Sequence, residues 1–206
     1  MKNEAASVGA HFRAIGVLLA AGRGARFGAD KLIVPLTHGP DRGLAIGIAS
    51  FRHLRAAIDD VIAVVRPDAS ALSESLVAEG ARVIVARDAD DGMGASLSAG
   101  VTHASADRAY VVALADMPWI SPATIARVVD ALRAGASIAA PRFRGERGHP
   151  VGFSIAHRAA LMALRGDEGA RALVASLRDE VTLIDVDDEG VVRDIDTQRD
   201  LESTAR

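Results

Sequence analysis

The 206-residue chain contains no cysteine. That excludes disulfides, thiolate metal sites and a cysteine nucleophile. It fits a cytoplasmic location, because reducing compartments do not support structural disulfides. There is no apolar run of the roughly 18 residues that a membrane span requires. The opening segment "MKNEAASVGAHF" has no apolar core of the kind a secretory signal carries, so residues 1–13 are expected to form a flexible leader. No block of basic residues stands out and the net charge is −3, which argues against a large positive face for nucleic acid.

What is present is ordinary globular composition, with half of the residues apolar and a quarter charged. Short continuous apolar runs occur at Ala14–Ala20, Val61–Val65, Val83–Ala86, Tyr110–Ala115 and Ser137–Ala140. Such runs suit strands buried on both faces. Helix-like stretches separate them. "SPATIARVVDALRAG" offers Ser121 as N-cap and Pro122 at the first helical position, puts Ile125, Val128, Val129 and Leu132 on one face, and ends at Gly135. "PDASALSESLVAEG" places Leu72, Leu76 and Val77 together, and "GMGASLSAGVTHA" is a shorter helix candidate. Buried strands alternating with amphipathic helices predict βαβ units and an α/β fold with a mostly parallel sheet.

After Pro141 the rhythm changes. "PRFRGERGHPVGFS" reads as a loop leading into a strand at Val151–Ser154, and "GDEGARALVASLRDE" as a helix capped by Asp167. The remainder reads as a strand, a turn at Glu189–Gly190, a short strand and a terminal helix. No repeat or low-complexity linker interrupts the chain, so residues 14–206 are expected to form one domain.

The stretch "VLLAAGRGARFGADK" passes from a buried strand into glycines and basic side chains. Glycine lets a ligand approach the main chain, and exposed N–H groups at a βα turn attract anions. The stretch is not a Walker loop, since Lys31 follows Asp30. It misses the dinucleotide pattern by one residue between Gly24 and Gly28. By itself it is a phosphate cradle or simply a basic surface turn. Asp116 in "LADMP" ends the fourth apolar run, at the sheet edge where the glycine loop also lies. A carboxylate opposite a phosphate cradle suits Mg²⁺; the alternative is a turn residue before Pro118. Asp194 and Asp196 in "DIDTQRDL" read, on the residues alone, as a solvated acidic turn.

Together, "LAAGRGARFGADKL", "DADDGMGASLSAGV", "LADMPWISPATI", "RGHPVGFS", "GDEGARAL" and "DIDTQRDL" resemble the MobA-like nucleotidyltransferases, and within them the MocA-like branch of molybdenum cofactor cytidylyltransferases. The resemblance runs from about Ile15 to Leu201. It implies a Rossmann-like three-layer sandwich and transfer of CMP from CTP to the terminal phosphate of molybdopterin, with release of pyrophosphate. It further implies Mg²⁺ or Mn²⁺ as cofactor and a molybdoenzyme of the xanthine dehydrogenase type as a partner that uses the product. Residue by residue, it implies nucleotide contacts from Leu19, Ala20, Ala21, Gly22, Gly24, Arg26, Gly28, Lys31, Gly92 and Ser96. Arg26, Lys31 and Asp116 would be catalytic, Asp116 and Asp196 would hold metal, and His149 and Arg147 would face the acceptor. Arg142 and Arg144 are further candidates for the acceptor phosphate, or part of a solvated basic loop.

The chain departs from the family pattern at Phe27, usually Met, at Ala115, usually Gly, at Gln198, usually Pro, and in the turn after Lys31. None of these removes a needed charge. The guanylyl branch carries Leu-Ala-Gly-Gly where this chain has Leu19-Ala20-Ala21-Gly22, so the Ala21 methyl is expected to narrow the base pocket toward cytosine. A guanylyltransferase or other small-acceptor NTP transferase of the same fold, and a non-catalytic module that delivers nucleotide or cofactor to a molybdoenzyme, are the competing expectations.

Overall fold

The computed structural model describes residues 12–22, 27, 30–167 and 169–202. Its strands are β1 (Ala14–Ala20), β2 (Val61–Val65), β3 (Arg82–Val85), β4 (Ala109–Leu114), β5 (Ile138–Phe143), β6 (Glu146–Arg147), β7 (Val151–Phe153) and β8 (Val181–Asp185). The helices are α1 (Ile46–Ala57), α2 (Ser70–Ala78), α3 (Met93–His103), α4 (Pro122–Arg133), α5 (Arg158–Met162), α6 (Arg171–Ser176) and α7 (Gln198–Glu202).

The sheet order is β3-β2-β1-β4-β7-β5-β6, with β8 alongside β5. The first four strands are parallel. β7 is antiparallel to both β4 and β5, β6 is antiparallel to β5, and β8 is again parallel to β5. The expected α/β sandwich is therefore present, with an antiparallel insertion in the final third.

Side-chain alternation along β1 builds the layers. Leu18 and Ala20 point into a core with Ile46, Leu54, Leu72 and Val128, from α1, α2 and α4. Ile15, Val17 and Leu19 point into the opposite core with Leu97, Val101, Leu161 and Val174, from α3, α5 and α6. Ser121 caps α4 by accepting a hydrogen bond from the Ala123 amide at 3.2 Å, as Ser-Pro at the helix start requires.

Four local expectations are corrected. The segment after Pro141 is not a loop: β5 runs on to Phe143 and turns through Arg144 (φ 48°) and Gly145 (φ 89°) into β6. Main-chain pairing to β7 and β8 stabilises it despite its poor apolar pattern. Asp167 does not cap α6; it sits in the turn before it, and Ala170 occupies the cap position. The short strand after Gly190 is a 3₁₀ turn over Glu189–Val192. Val77 faces solvent at 57% exposure, while Leu72 and Leu76 are buried.

The register fixes what meets at the carboxyl edge. Leu19 pairs with Leu114, so the chain leaving β1 and Asp116 leaving β4 emerge side by side. β7 runs the other way, with Val151 opposite Val112. Extending that antiparallel register puts His149 at the same edge.

Candidate active site

The centre of this edge is a cluster of opposite charges. Lys31 opens a 3₁₀ turn after the glycine loop and is buried at 6% exposure. Its Nζ donates to Asp116 Oδ2 at 2.9 Å, to the Ile195 carbonyl at 2.7 Å and to Asp196 Oδ1 at 3.1 Å. Burial alone would lower the ammonium's pKa, but the two carboxylates more than reverse this and hold it above its ordinary value. Lys31 is thus fastened within the acid cluster, not extended as the free point charge that its place after a glycine loop suggests.

Asp116, Asp194 and Asp196 each offer an oxygen within 4.8 Å of the others. Ile195, fully buried between the two C-terminal acids, anchors this segment, and its amide donates to the Asp116 carbonyl at 2.9 Å. Partial desolvation, then repulsion from Asp196 and Asp116, raises the Asp194 carboxyl above its usual range. Three convergent carboxylates beside one ammonium fit a hard divalent cation. Asp194 was not expected here. Its signal was the Asp-Ile-Asp alternation, which turns both acids to the side opposite a buried Ile.

Beside the cluster lies a cavity of about 360 Å³. Leu19, Ala21, Gly22, Lys31 and Asp116 line one side, and Gly92 and Ser96 the other. Gly92 adopts φ +104° at the start of α3, a conformation that favours glycine. The Gly94 amide then donates to the Gly166 carbonyl at 2.8 Å, tying α3 to the turn that carries Asp167. Ser96 is buried, with its hydroxyl back-bonded to the Gly92 carbonyl at 3.5 Å. Strand alternation turns the Ala20 side chain away from the cavity and into the α1/α4 core, which leaves its main chain as the part at this edge. Gly24, Arg26 and Gly28 lie outside the described residues.

A second cavity of about 590 Å³ adjoins the first and shares Leu19, Met93, Leu114 and Asp167 with it. Its walls include Val112, Val151 and Phe153, and its polar side chains include Arg147, His149 and Arg171. Burial, then the neighbouring Arg147, lowers the His149 pKa to about 4, with Asp116 opposing weakly. The imidazole is therefore neutral, and its enclosed Nδ1 has no hydrogen-bond partner among the described residues. The main chain holds it in place: the His149 amide donates to the Val191 carbonyl at 2.8 Å. Of the three arginines considered for the acceptor, only Arg147 lines this cavity. Arg142 makes a two-pronged pair with Asp185 at 2.6 and 2.9 Å, and Arg144 lies over the Phe143 ring. Arg171 was missed, because the first residue of a short helix carries no periodic signal.

Comparison with known proteins agrees with this geometry. The chain is 34% identical over 192 residues to the nicotine blue oxidoreductase of Paenarthrobacter nicotinovorans, covering 88% of this chain and 91% of that protein. It is 34% identical over 203 residues to the purine catabolism protein PucB of Bacillus subtilis, covering 93% and 96%. The crystal structure of Rv0371c from Mycobacterium tuberculosis superimposes with a TM-score of 0.80 at 32% identity, covering 93% of this chain and 98% of that one. The same protein has been crystallised in complex with manganese, at TM-score 0.78. The MobA-like NTP transferase domain matches residues 16–181, and the chain belongs to that family.

Proposed function

We propose that this protein is a cytidylyltransferase of the MocA-like branch, moving CMP from CTP onto the terminal phosphate of molybdopterin. The observation that carries this reading is the joining of two cavities at one sheet edge, with the acid–lysine cluster beside them. One cavity suits a nucleotide and the other a second substrate. A partner hydroxylase of the xanthine dehydrogenase type fits the name of the relative involved in purine catabolism. Residues 14–206 act as one nucleotidyltransferase domain, with residues 1–13 leading into it, and the cytoplasm is its place of work.

In the proposed reaction, an oxygen of the acceptor phosphate attacks the α-phosphorus of CTP. A new P–O bond forms, the bond to the bridging oxygen breaks, and its electron pair leaves with pyrophosphate. No general base is required, because the acceptor phosphate is already ionised near neutral pH. The protein's task is alignment and charge neutralisation.

Arg26 and the main chain of Gly22, Gly24 and Gly28 hold the triphosphate, and Lys31, its ammonium bound to Asp116, Asp196 and the Ile195 carbonyl, offsets charge on the leaving group through its field. Asp116, Asp194 and Asp196 are the residues that would hold Mg²⁺ or Mn²⁺. The ion supplies Lewis-acid stabilisation of phosphate charge when bound. Ala21, Gly92 and Ser96 face the base, and His149 and Arg147 the acceptor.

The acid–lysine cluster disfavours a delivery module without chemistry, which would not need three carboxylates and a buried ammonium at the nucleotide cavity. The test is pyrophosphate release with Mg²⁺, molybdenum-loaded molybdopterin and either CTP or GTP. Turnover with CTP at least about tenfold above GTP in kcat/KM is expected, equivalent to about 1.4 kcal/mol. Asp116→Asn is expected to abolish turnover while leaving the fold intact by circular dichroism. Equal use of both nucleotides, or a preference for GTP, would overturn the cytidylyl assignment. A folded and fully active Asp116→Asn protein would overturn the site.

A further inference from the structure

A fourth carboxylate stands behind the acid cluster and binds main chain. Asp200 Oδ2 accepts from the Asp196 amide at 3.2 Å, from the Thr197 amide at 2.7 Å and from the Thr197 hydroxyl at 2.7 Å. The Thr197 hydroxyl oxygen in turn accepts from the Asp200 amide at 3.3 Å. The Thr197–Asp200 exchange is the reciprocal bonding of a capping box at the start of α7. The bond to Asp196 is a further one. α7 begins at Gln198, so the Asp196 amide lies outside the helix and its bond adds nothing to the helical ladder. The helix also has an anchor of its own: Leu201 is buried, and its carbonyl accepts from the Thr37 hydroxyl at 2.9 Å.

The two amides that share Asp200 Oδ2 belong to the peptide units on either side of the Asp196 Cα. Each unit is planar, so holding both fixes the direction in which the Asp196 side chain leaves the main chain. That direction carries Asp196 Oδ1 to 3.1 Å from Lys31 Nζ and places the carboxylate in the cluster with Asp116 and Asp194. Residue 195 is held from the other side: its amide donates to the Asp116 carbonyl at 2.9 Å, and its carbonyl accepts from Lys31 Nζ at 2.7 Å. Converging carboxylates repel one another, and a segment free to rotate would turn Asp196 out to water. Bonds to the main chain oppose that rotation without filling a place in the cluster.

We infer that Asp200 is a positioning residue of the metal centre, acting on the cation through the main chain of Asp196 and Thr197. This rests on the reading of Asp116, Asp194 and Asp196 as the site of a divalent cation. It separates the acids of the C-terminal segment into two that face the ion and one that aims them.

The test is Mn²⁺ titrated calorimetrically into the full chain without nucleotide, with circular dichroism melts of each variant. Asp200→Ala removes both the acceptor oxygen and its charge, and is expected to weaken Mn²⁺ binding about tenfold. Asp200→Asn removes the charge but keeps an oxygen for the two amides, and is expected to stay within about threefold of the natural protein. An equal loss in Asp200→Asn and Asp200→Ala would show that Asp200 acts by its charge, which overturns the positioning role. A lower melting temperature with unchanged Mn²⁺ affinity in Asp200→Ala would make the bonds purely structural and overturn it too. Should Asp200→Ala not fold, Thr197→Val takes its place: it removes the hydroxyl that holds the Asp200 carboxylate and alters no charge. It is expected to weaken Mn²⁺ about threefold, and unchanged affinity would count against the inference in the same way. A natural protein that binds no Mn²⁺ would overturn the metal reading and this inference with it. Binding by the natural protein that Asp200→Ala leaves intact would remove the inference alone.

Discussion

Gly190 lies against the Trp119 main chain so closely that a Cβ on it would sit 2.3 Å from the Trp119 carbonyl oxygen and 2.4 Å from its carbon. Trp119 follows Asp116 by three residues, and Gly190 precedes the segment that carries Asp194 and Asp196. The contact therefore joins the two segments that carry these carboxylates. Gly190→Ala meets rigid backbone, so one segment must move. We expect a loss of about 1–3 kcal/mol in stability, the cost typical of overpacking. Manganese affinity should weaken as well. Chemical denaturation together with a manganese titration checks this; unchanged affinity in a destabilised protein would show that the contact does not govern the acids.

Lys31→Ala removes the ammonium from among three carboxylates. Were Lys31 a solvated loop residue, the change would stay within about ±0.5 kcal/mol. Its burial and its bonds to Asp116, Asp196 and the Ile195 carbonyl predict a larger loss, about 1–3 kcal/mol, together with slowed turnover. Added Mn²⁺ should raise the melting temperature of the variant more than that of the natural protein, because a cation then replaces the lost charge. Thermal unfolding with and without the metal decides it, and equal increments would contradict the counter-ion role.

His149 predicts a pH dependence of stability. Its folded pKa, about 4, lies below the ordinary value near 6.5. Between these values the unfolded chain takes up a proton that the folded chain refuses. Stability is therefore full above about 6.5, falls as pH drops toward about 4, and loses nothing further from this group below that. The full span is on the order of 3 kcal/mol. Denaturant melts of the natural protein and His149→Gln across this window check it, with the histidine contribution appearing as the difference in slope. Parallel profiles would mean that the ring is protonated inside the folded cavity.

Ala21→Gly tests base selection. Ala21 is buried at 8% exposure and lines the first cavity. Removing its methyl should admit a purine edge and reduce the CTP-over-GTP ratio of kcat/KM by about threefold to tenfold, the scale of one methyl group in a packed pocket. An unchanged ratio would place the selecting contact elsewhere, with Gly92 and Ser96 the next residues to vary.

Local pattern alone carried much of the fold. The apolar runs of β1, β2 and β4, the Ser-Pro start of α4 and the Leu72–Leu76 face of α2 are legible because each depends on neighbours a few residues away. The motifs that place Lys31, Asp116, Gly92 and Ser96 at one edge were legible for a related reason: parallel strands deliver successive loops to the same side of a sheet.

Contacts between distant segments decided the remainder. The β5–β6 hairpin has no apolar alternation to announce it, and exists because β7 and β8 supply hydrogen-bond partners on either side of β5. The reversed direction of β7 brings His149 to the carboxyl edge, and no local signal encodes strand direction. Asp194 and Asp196 look like a solvated turn until Ile195 is buried and its amide binds the Asp116 carbonyl. The charge state of Lys31, the neutrality of His149 and the lowered pKa of Arg147 arise from desolvation and from charges far away in sequence, so packing alone creates them.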